Sequence, residues 1–171
     1  MQLATERLLL RPFTLDDAPA VQRLVAAYEI AENTLLIPHP YPEGAAAEWI
    51  SKLGTMPDNH VFAIVLDADV IGAIGMEVQR EHDRGEIGYW IGVPYWGRGY
   101  MTEAVRAVLG WAFESLGLNR VFAEHFTRNA ASGRVMQKAG MRHEGSLRQH
   151  DKKWDAYLDV EVYGILDSDW R

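Results

Sequence analysis

The sequence predicts an α+β fold, and three observations carry that expectation. Two β-rich runs, Val61 to Leu66 and Val70 to Val78, flank the tight turn Asp67-Ala68-Asp69 and read as an antiparallel hairpin. Beyond it, strand patterns alternate with two helical patterns that act as crossovers. A last pair of strands, Met141 to Gln149 and Ala156 to Leu166, closes the chain as a second hairpin around the polar turn His150 to Trp154. The expected sum is a mixed, mostly antiparallel sheet of about seven strands flanked by about four helices.

The remaining elements follow in order. Arg7 to Pro12 reads as a short strand. Thr14 with Asp17 three residues on resembles a capping box, and Leu15, Ala18, Val21, Leu24, Val25 and Tyr28 continue with helical spacing. Three prolines between Ile37 and Pro42 forbid helix there and leave a loop of aromatic and imidazole groups. Ala45, Ala46, Trp49, Ile50 and Leu53 give a short amphipathic helix closed near Gly54. After the charged loop Arg80 to Arg84, a strand over Glu86 to Val93 puts Glu86, Gly88, Trp90 and Gly92 on one face and Ile87, Tyr89, Ile91 and Val93 on the other. A helix from about Thr102 to Leu116 is apolar around much of its circumference, as expected for one packed on a sheet. Arg120 to His125 is a strand, and Asn129 caps a helix that runs to Ala139 and stops at Gly140.

Composition sets the outer bounds. The 171 residues carry no repeat and no linker composition, so one domain over 1–171 is expected. The absence of cysteine removes disulfides, thiolate metal sites and thiol nucleophiles, and fits a cytoplasmic chain. Glu6, Arg7 and Arg11 interrupt any apolar segment at the N-terminus, and no run has the length of a membrane span. A net charge of −7 argues against nucleic acid as a partner and suits an amine-bearing one. The six histidines show no metal-ligand spacing, so no metal is expected. His39 stands out among them, set between Pro38 and Pro40.

The segment Gly85 to Ala104, GEIGYWIGVPYWGRGYMTEA, carries the chemistry. Pro94 ends the strand, and Gly97 and Gly99 allow a tight turn with close backbone approach. The amides of Gly97, Arg98, Gly99, Tyr100 and Met101 then precede a helix, an arrangement suited to a phosphate. An ordinary strand-to-helix turn would look the same, and the loop is neither a Walker loop nor a triple-glycine dinucleotide fingerprint.

Three further segments sharpen the reading: TERLLLRPFTLDD at the start, NAASGRVMQKAGM from Asn129 to Met141, and EGSLRQHDKKWDAYLDVEVYGIL from Glu144 to Leu166. With WGRGYMTEA they resemble the GNAT superfamily of acyl-CoA-dependent N-acyltransferases, and most closely its branch that acetylates ribosomal-protein N-termini. The resemblance covers nearly the whole chain. It implies a sheet whose central strands splay into a slot, with acetyl-CoA as co-substrate. Its pantetheine arm would pair with Ile91 and Val93, its diphosphate would sit on the amides of Gly97 to Thr102, and Asn129 would bind the pantetheine amides. Arg98, Arg134 and Lys138 would stand near the phosphates or serve only as solvated helix charges.

Two departures from the family pattern matter. Trp96 and Met101 replace the usual loop ends, a change that leaves the backbone donors in place. Met136 stands where many members carry a tyrosine that protonates the departing thiolate, and methionine has no proton to give. Ser132 becomes the candidate donor, with helix capping as its plainer role. Glu86 is the first choice of base and Asp151 the second, against the plainer readings of a strand-end charge and a turn former. Tyr89, Trp90, Tyr95, Trp96 and Tyr100 are pocket wall or core. The acceptor is expected to be an amine, foremost a protein or peptide N-terminus, handled by a monomer or homodimer. A small-molecule amine acetyltransferase and a non-catalytic acyl-CoA sensor are the alternatives.

Overall fold

The computed structural model describes residues 1–170. Its eight strands form one sheet in the order β1-β2-β3-β4-β5-β6-β8-β7. They are β1 (Leu3–Ala4), β2 (Leu9–Arg11), β3 (Asn59–Leu66), β4 (Asp69–Gln79), β5 (Arg84–Ile91), β6 (Arg120–Phe126), β7 (Arg142–Lys153) and β8 (Ala156–Leu166). The helices are α1 (Ala18–Val25), α2 (Tyr28–Glu32), α3 (Ala45–Lys52), α4 (Tyr100–Glu114), α5 (Ala130–Lys138) and α6 (Asp167–Trp170). All neighbouring strands are antiparallel except β5 and β6, where α4 provides the crossover. The α+β expectation holds, with one more strand and two more helices than the pattern predicts.

Each difference has a local cause. The extra strand β1 is two residues long and leaves no periodicity to read. The predicted helix after Thr14 begins as a 3-10 turn over Leu15–Asp17, with Thr14 N–H donating to Asp17 Oδ2 at 2.8 Å. It then breaks at Ala27, whose ψ of 129° is extended, and restarts as α2. The β3–β4 turn bears out the hairpin, since Asp67 and Ala68 both take positive φ, 47° and 76°. At the C-terminal end, β7 runs through Lys153 after an irregularity between Leu147 and Asp151. Asp151 is therefore not in the turn: it pairs with Leu158 on the strand, which corrects the turn-former reading.

The sheet separates two apolar clusters. On one face, Val105, Val108, Leu109 and Ala112 of α4 pack with Ile64, Ile74, Met76, Ile87, Val121 and Ala123. On the other, α1 and α3 cover Ala63, Val65 and Val70 through Val21, Val25, Ala46 and Ile50. Side chains alternate across the sheet, so each strand feeds both layers.

What positions a site is the middle of this sheet. β5 and β6 pair from Arg84↔Arg120 to Ile87↔Ala123 and no further. Past that point β5 stays with β4 as far as Ile91↔Gly72, while β6 stays with β8 as far as Phe126↔Val160. The two strands diverge because each keeps its outer partner. The result is a gap through an otherwise continuous layer.

Candidate active site

β5 ends at Ile91, two residues short of the predicted end, and a 3-10 turn over Val93–Tyr95 follows. Val93 thus heads a turn and packs with the α1/α3 cluster beside Trp90, on the face opposite Ile91. The strand is therefore shorter than the expected span to Val93, and Val93 belongs to the turn that follows it. Ile91 keeps a strand edge: Gly92 N–H donates to Ile71 O of β4 at 2.8 Å, so the N–H of Ile91 faces the gap. Its carbonyl already accepts Trp96 Nε1–H at 2.7 Å, which draws the indole across the loop.

Gly97 and Gly99 hold φ of 73° and 80°, left-handed values that glycine adopts without strain, and Gly99 is the N-cap residue of α4. α4 therefore starts at Tyr100, two residues before the predicted start. Among the described residues, the amides of Gly97, Arg98, Gly99, Tyr100, Met101 and Thr102 donate no hydrogen bond, the first internal one being Glu103 N–H to Gly99 O at 3.1 Å. A cluster of free donors at a helix N-terminus is an anion site. Arg7 braces it: its guanidinium donates to Arg98 O at 3.1 Å, bonds Glu103 at 2.7 Å and lies 4.6 Å from the Tyr100 ring centre.

A cavity of about 320 Å³ joins this loop to the gap. Gly97, Gly99, Tyr100, Met101 and Thr102 line one end, with Asn129, Ser132, Arg134 and Lys138 of the α5 region beside them. At the other end are Glu29, Ile30, Asn33 and Thr34 from the α2 segment, and Glu124 of β6. Ile91 lines it too, as do all five aromatic residues expected as wall or core: Tyr89, Trp90, Tyr95, Trp96 and Tyr100. Arg98 does not; Arg134 and Lys138 do, as does His125.

Asn129 Oδ1 accepts Ser132 N–H at 3.4 Å and so caps α5 as predicted. Ser132 contributes only its N–H to that cap, which removes its plainer role. Its hydroxyl instead lies 2.9 Å from the Tyr89 hydroxyl across the cavity. Burial pushes the Tyr89 phenol up to about 12, so it stays protonated near neutral pH. Met136 is 1% exposed and belongs to the α4 core, away from the cavity. A hydroxyl does reach Ser132 from β5, at Tyr89.

Glu86 and Asp151 do not line the cavity. Glu86 is half-buried on the Gly88 and Trp90 face of β5, opposite Ile91 as expected. Burial is the largest cause raising its pKa above the ordinary carboxylate range, followed by the charges of Glu124, its cross-strand partner Glu77 and, more weakly, Asp151. Glu124 touches the cavity directly. Sequence reasoning passed over it, although the alternation of buried Val121 and Ala123 already puts residue 124 on the acidic face. Among the described residues no cluster of three or more His, Asp or Glu groups is arranged to hold a metal, and no helix is long and apolar enough to cross a membrane.

Residues 7–142 match the acetyltransferase (GNAT) domain model. An uncharacterized N-acetyltransferase, p20 of Bacillus licheniformis, is 30% identical over 98% of this chain and 97% of its own. The ribosomal-protein-serine acetyltransferase of Escherichia coli (strain K12) is 31% identical over 63% of this chain and 62% of its own. Among solved structures, a GNAT-family acetyltransferase from Bacillus anthracis superimposes with a TM-score of 0.89 at 27% identity, covering 98% of this chain and 99% of that one. The chain belongs to the GNAT acetyltransferase family. It is an acetyl-CoA-dependent N-acetyltransferase, transferring acetyl to an amine.

Proposed function

We propose that the acceptor is the N-terminal α-amino group of a protein or peptide. The observation that carries this reading is the gap itself, which links a loop of free amides on one side of the sheet to an acidic opening on the other. The likeness to an enzyme named for ribosomal-protein serine acetylation supports it.

In this reading the amides of Gly97 to Thr102 hold the diphosphate of acetyl-CoA, with Arg134 and Lys138 nearby. Ile91 N–H and Asn129 bind the pantetheine arm, whose thioester is directed into the gap near Gly88. On the acceptor side, Glu124 attracts the ammonium group. Glu86, made more basic by burial and like charges, removes its proton through water. The neutral amine then attacks the thioester carbon; the C–S bond breaks, and the surplus proton on the new C–N nitrogen ends on the departing sulfur, giving the amide and free thiol. Ser132 donates a hydrogen bond to that sulfur and relays the proton to it, while the Tyr89 hydroxyl, 2.9 Å away, holds the Ser132 hydroxyl in position.

Ser132→Ala is expected to lower kcat by about 10²-fold, the low end for a lost proton donor. Its KM for acetyl-CoA should barely move, because binding rests on backbone amides. Tyr89→Phe should reproduce part of the loss, and steady-state thiol release measures both. An unchanged kcat in Ser132→Ala removes it from this role.

The acceptor itself is tested with acetyl-CoA and a panel of peptides, polyamines and amino acids, read by mass spectrometry. Mass gain at peptide N-termini is the expected result. Turnover confined to small amines would refute the peptide reading.

A further inference from the structure

Three aromatic rings from three separate segments meet on elements that also carry Glu29 and Asp151. Tyr28 begins α2, His39 lies in the proline-bearing loop, and Trp154 sits at the β7–β8 turn. Tyr28 and Trp154 stack with centroids 5.8 Å apart at 19°, and His39 meets Tyr28 edge-on at 5.2 Å. Tyr28 remains 48% exposed and Trp154 46%. Large rings left half in water gain from being covered.

The cluster is held in place by a polar anchor. Lys153 is 5% exposed, and its Nζ donates to Leu35 O at 3.2 Å and Ile37 O at 2.5 Å while lying 5.0 Å from the Trp154 ring centre. Burial, with Arg128 nearby, lowers its pKa. No carboxylate pairs with it among the described residues, so carbonyls and a ring alone satisfy a buried ammonium group. Arg128 donates to Glu32 O from the other side. Two cations thus fix the segment that runs from α2 to the proline-bearing loop.

That segment is also the wall of the site. Glu29, Ile30, Asn33 and Thr34 line the cavity, and Glu29 follows Tyr28 directly. The hairpin that carries Trp154 also carries Asp151, whose charge is felt at Glu86. Rings and acids are therefore joined through the same two elements.

We infer that Tyr28, His39 and Trp154 form a platform for the polypeptide that follows the acceptor amine, selecting an apolar or planar side chain near the N-terminus. This deepens the peptide reading above and rests on it. Charge complementarity sets the direction: the terminal ammonium faces Glu29, Glu124 and Glu86, and the next residues run outward across the rings. A small amine would reach the acids and leave the platform uncovered.

The test uses acetyl-CoA with two N-terminal serine tetrapeptides, one carrying phenylalanine and one glycine after the serine, and with serinamide. Trp154 has φ of 53°, which asparagine tolerates, so Trp154→Asn removes the ring without backbone strain. Tyr28→Gln serves as the second variant on an exposed helical position. The wild-type protein should favour the phenylalanine peptide, and each variant should raise its KM about tenfold, a typical aromatic contact. The KM values for serinamide and acetyl-CoA should stay unchanged. Equal losses on all acceptors, or no loss on the phenylalanine peptide, would overturn the platform alone. No turnover of any peptide by the wild-type protein would overturn the peptide reading and the platform together.

Discussion

A Gly88→Val variant is expected to fold, to bind acetyl-CoA, and to lose acetyl transfer by about 10²-fold, the scale of a misplaced reactant. Gly88 is the first residue of β5 beyond its last pairing with β6. A Cβ built there meets nothing within 4 Å, and it points to the Glu86 and Trp90 face, where the acceptor would enter. Valine suits a strand better than glycine, so thermal stability should hold or rise by about 0.5–1 kcal/mol. The effect is large because the added methyl groups occupy the passage rather than the packed core. A melting curve, acetyl-CoA calorimetry and single-turnover transfer separate these outcomes. Full transfer activity would mean that the amine does not pass Gly88.

Glu86→Gln should lower kcat by about 10²–10⁴-fold, the range for a lost general base. Glu86 must be ionised to accept a proton, and its pKa is raised by burial and by neighbouring carboxylates. The wild-type rate should therefore fall as pH drops through this raised value, placing the acid limb above the ordinary glutamate range. The variant should lose that limb. Stability gives an independent sign. A carboxyl with a raised native pKa binds more protons folded than unfolded, so its contribution is most favourable at low pH and is lost as pH rises through the native value. Glu86→Gln removes that penalty and should melt at a higher temperature near neutral pH than the wild-type protein. A variant that melts lower, or that keeps the acid limb, would contradict the assignment.

How much of this the sequence carried depends on the range of the contacts involved. Turn chemistry at Asp67–Asp69, the cap at Asn129 and the glycines at 97 and 99 act within a few residues, and each stands as read. The polar run Asp151–Lys153 reads as turn yet pairs as strand, because β8 supplies a partner that local composition does not record. Ala26 and Ala27 contain no helix breaker, so the division of α1 from α2 left no signal. Within the site, the free amides were legible because they belong to one loop. The contact of Tyr89 with Ser132 was not, since it joins residues 43 positions apart across the gap. Arg7, reaching Glu103 from 96 positions away, was hidden for the same reason.

Acetyl transfer needs the loop and the gap acting together. A crystal structure with bound coenzyme A tests both. Diphosphate oxygens should lie about 2.7–3.2 Å from amide nitrogens between Gly97 and Thr102, with the thiol lodged between β5 and β6 beside Gly88. A diphosphate bound elsewhere, or β5 and β6 closed against each other past Ile87 and Ala123, would contradict it.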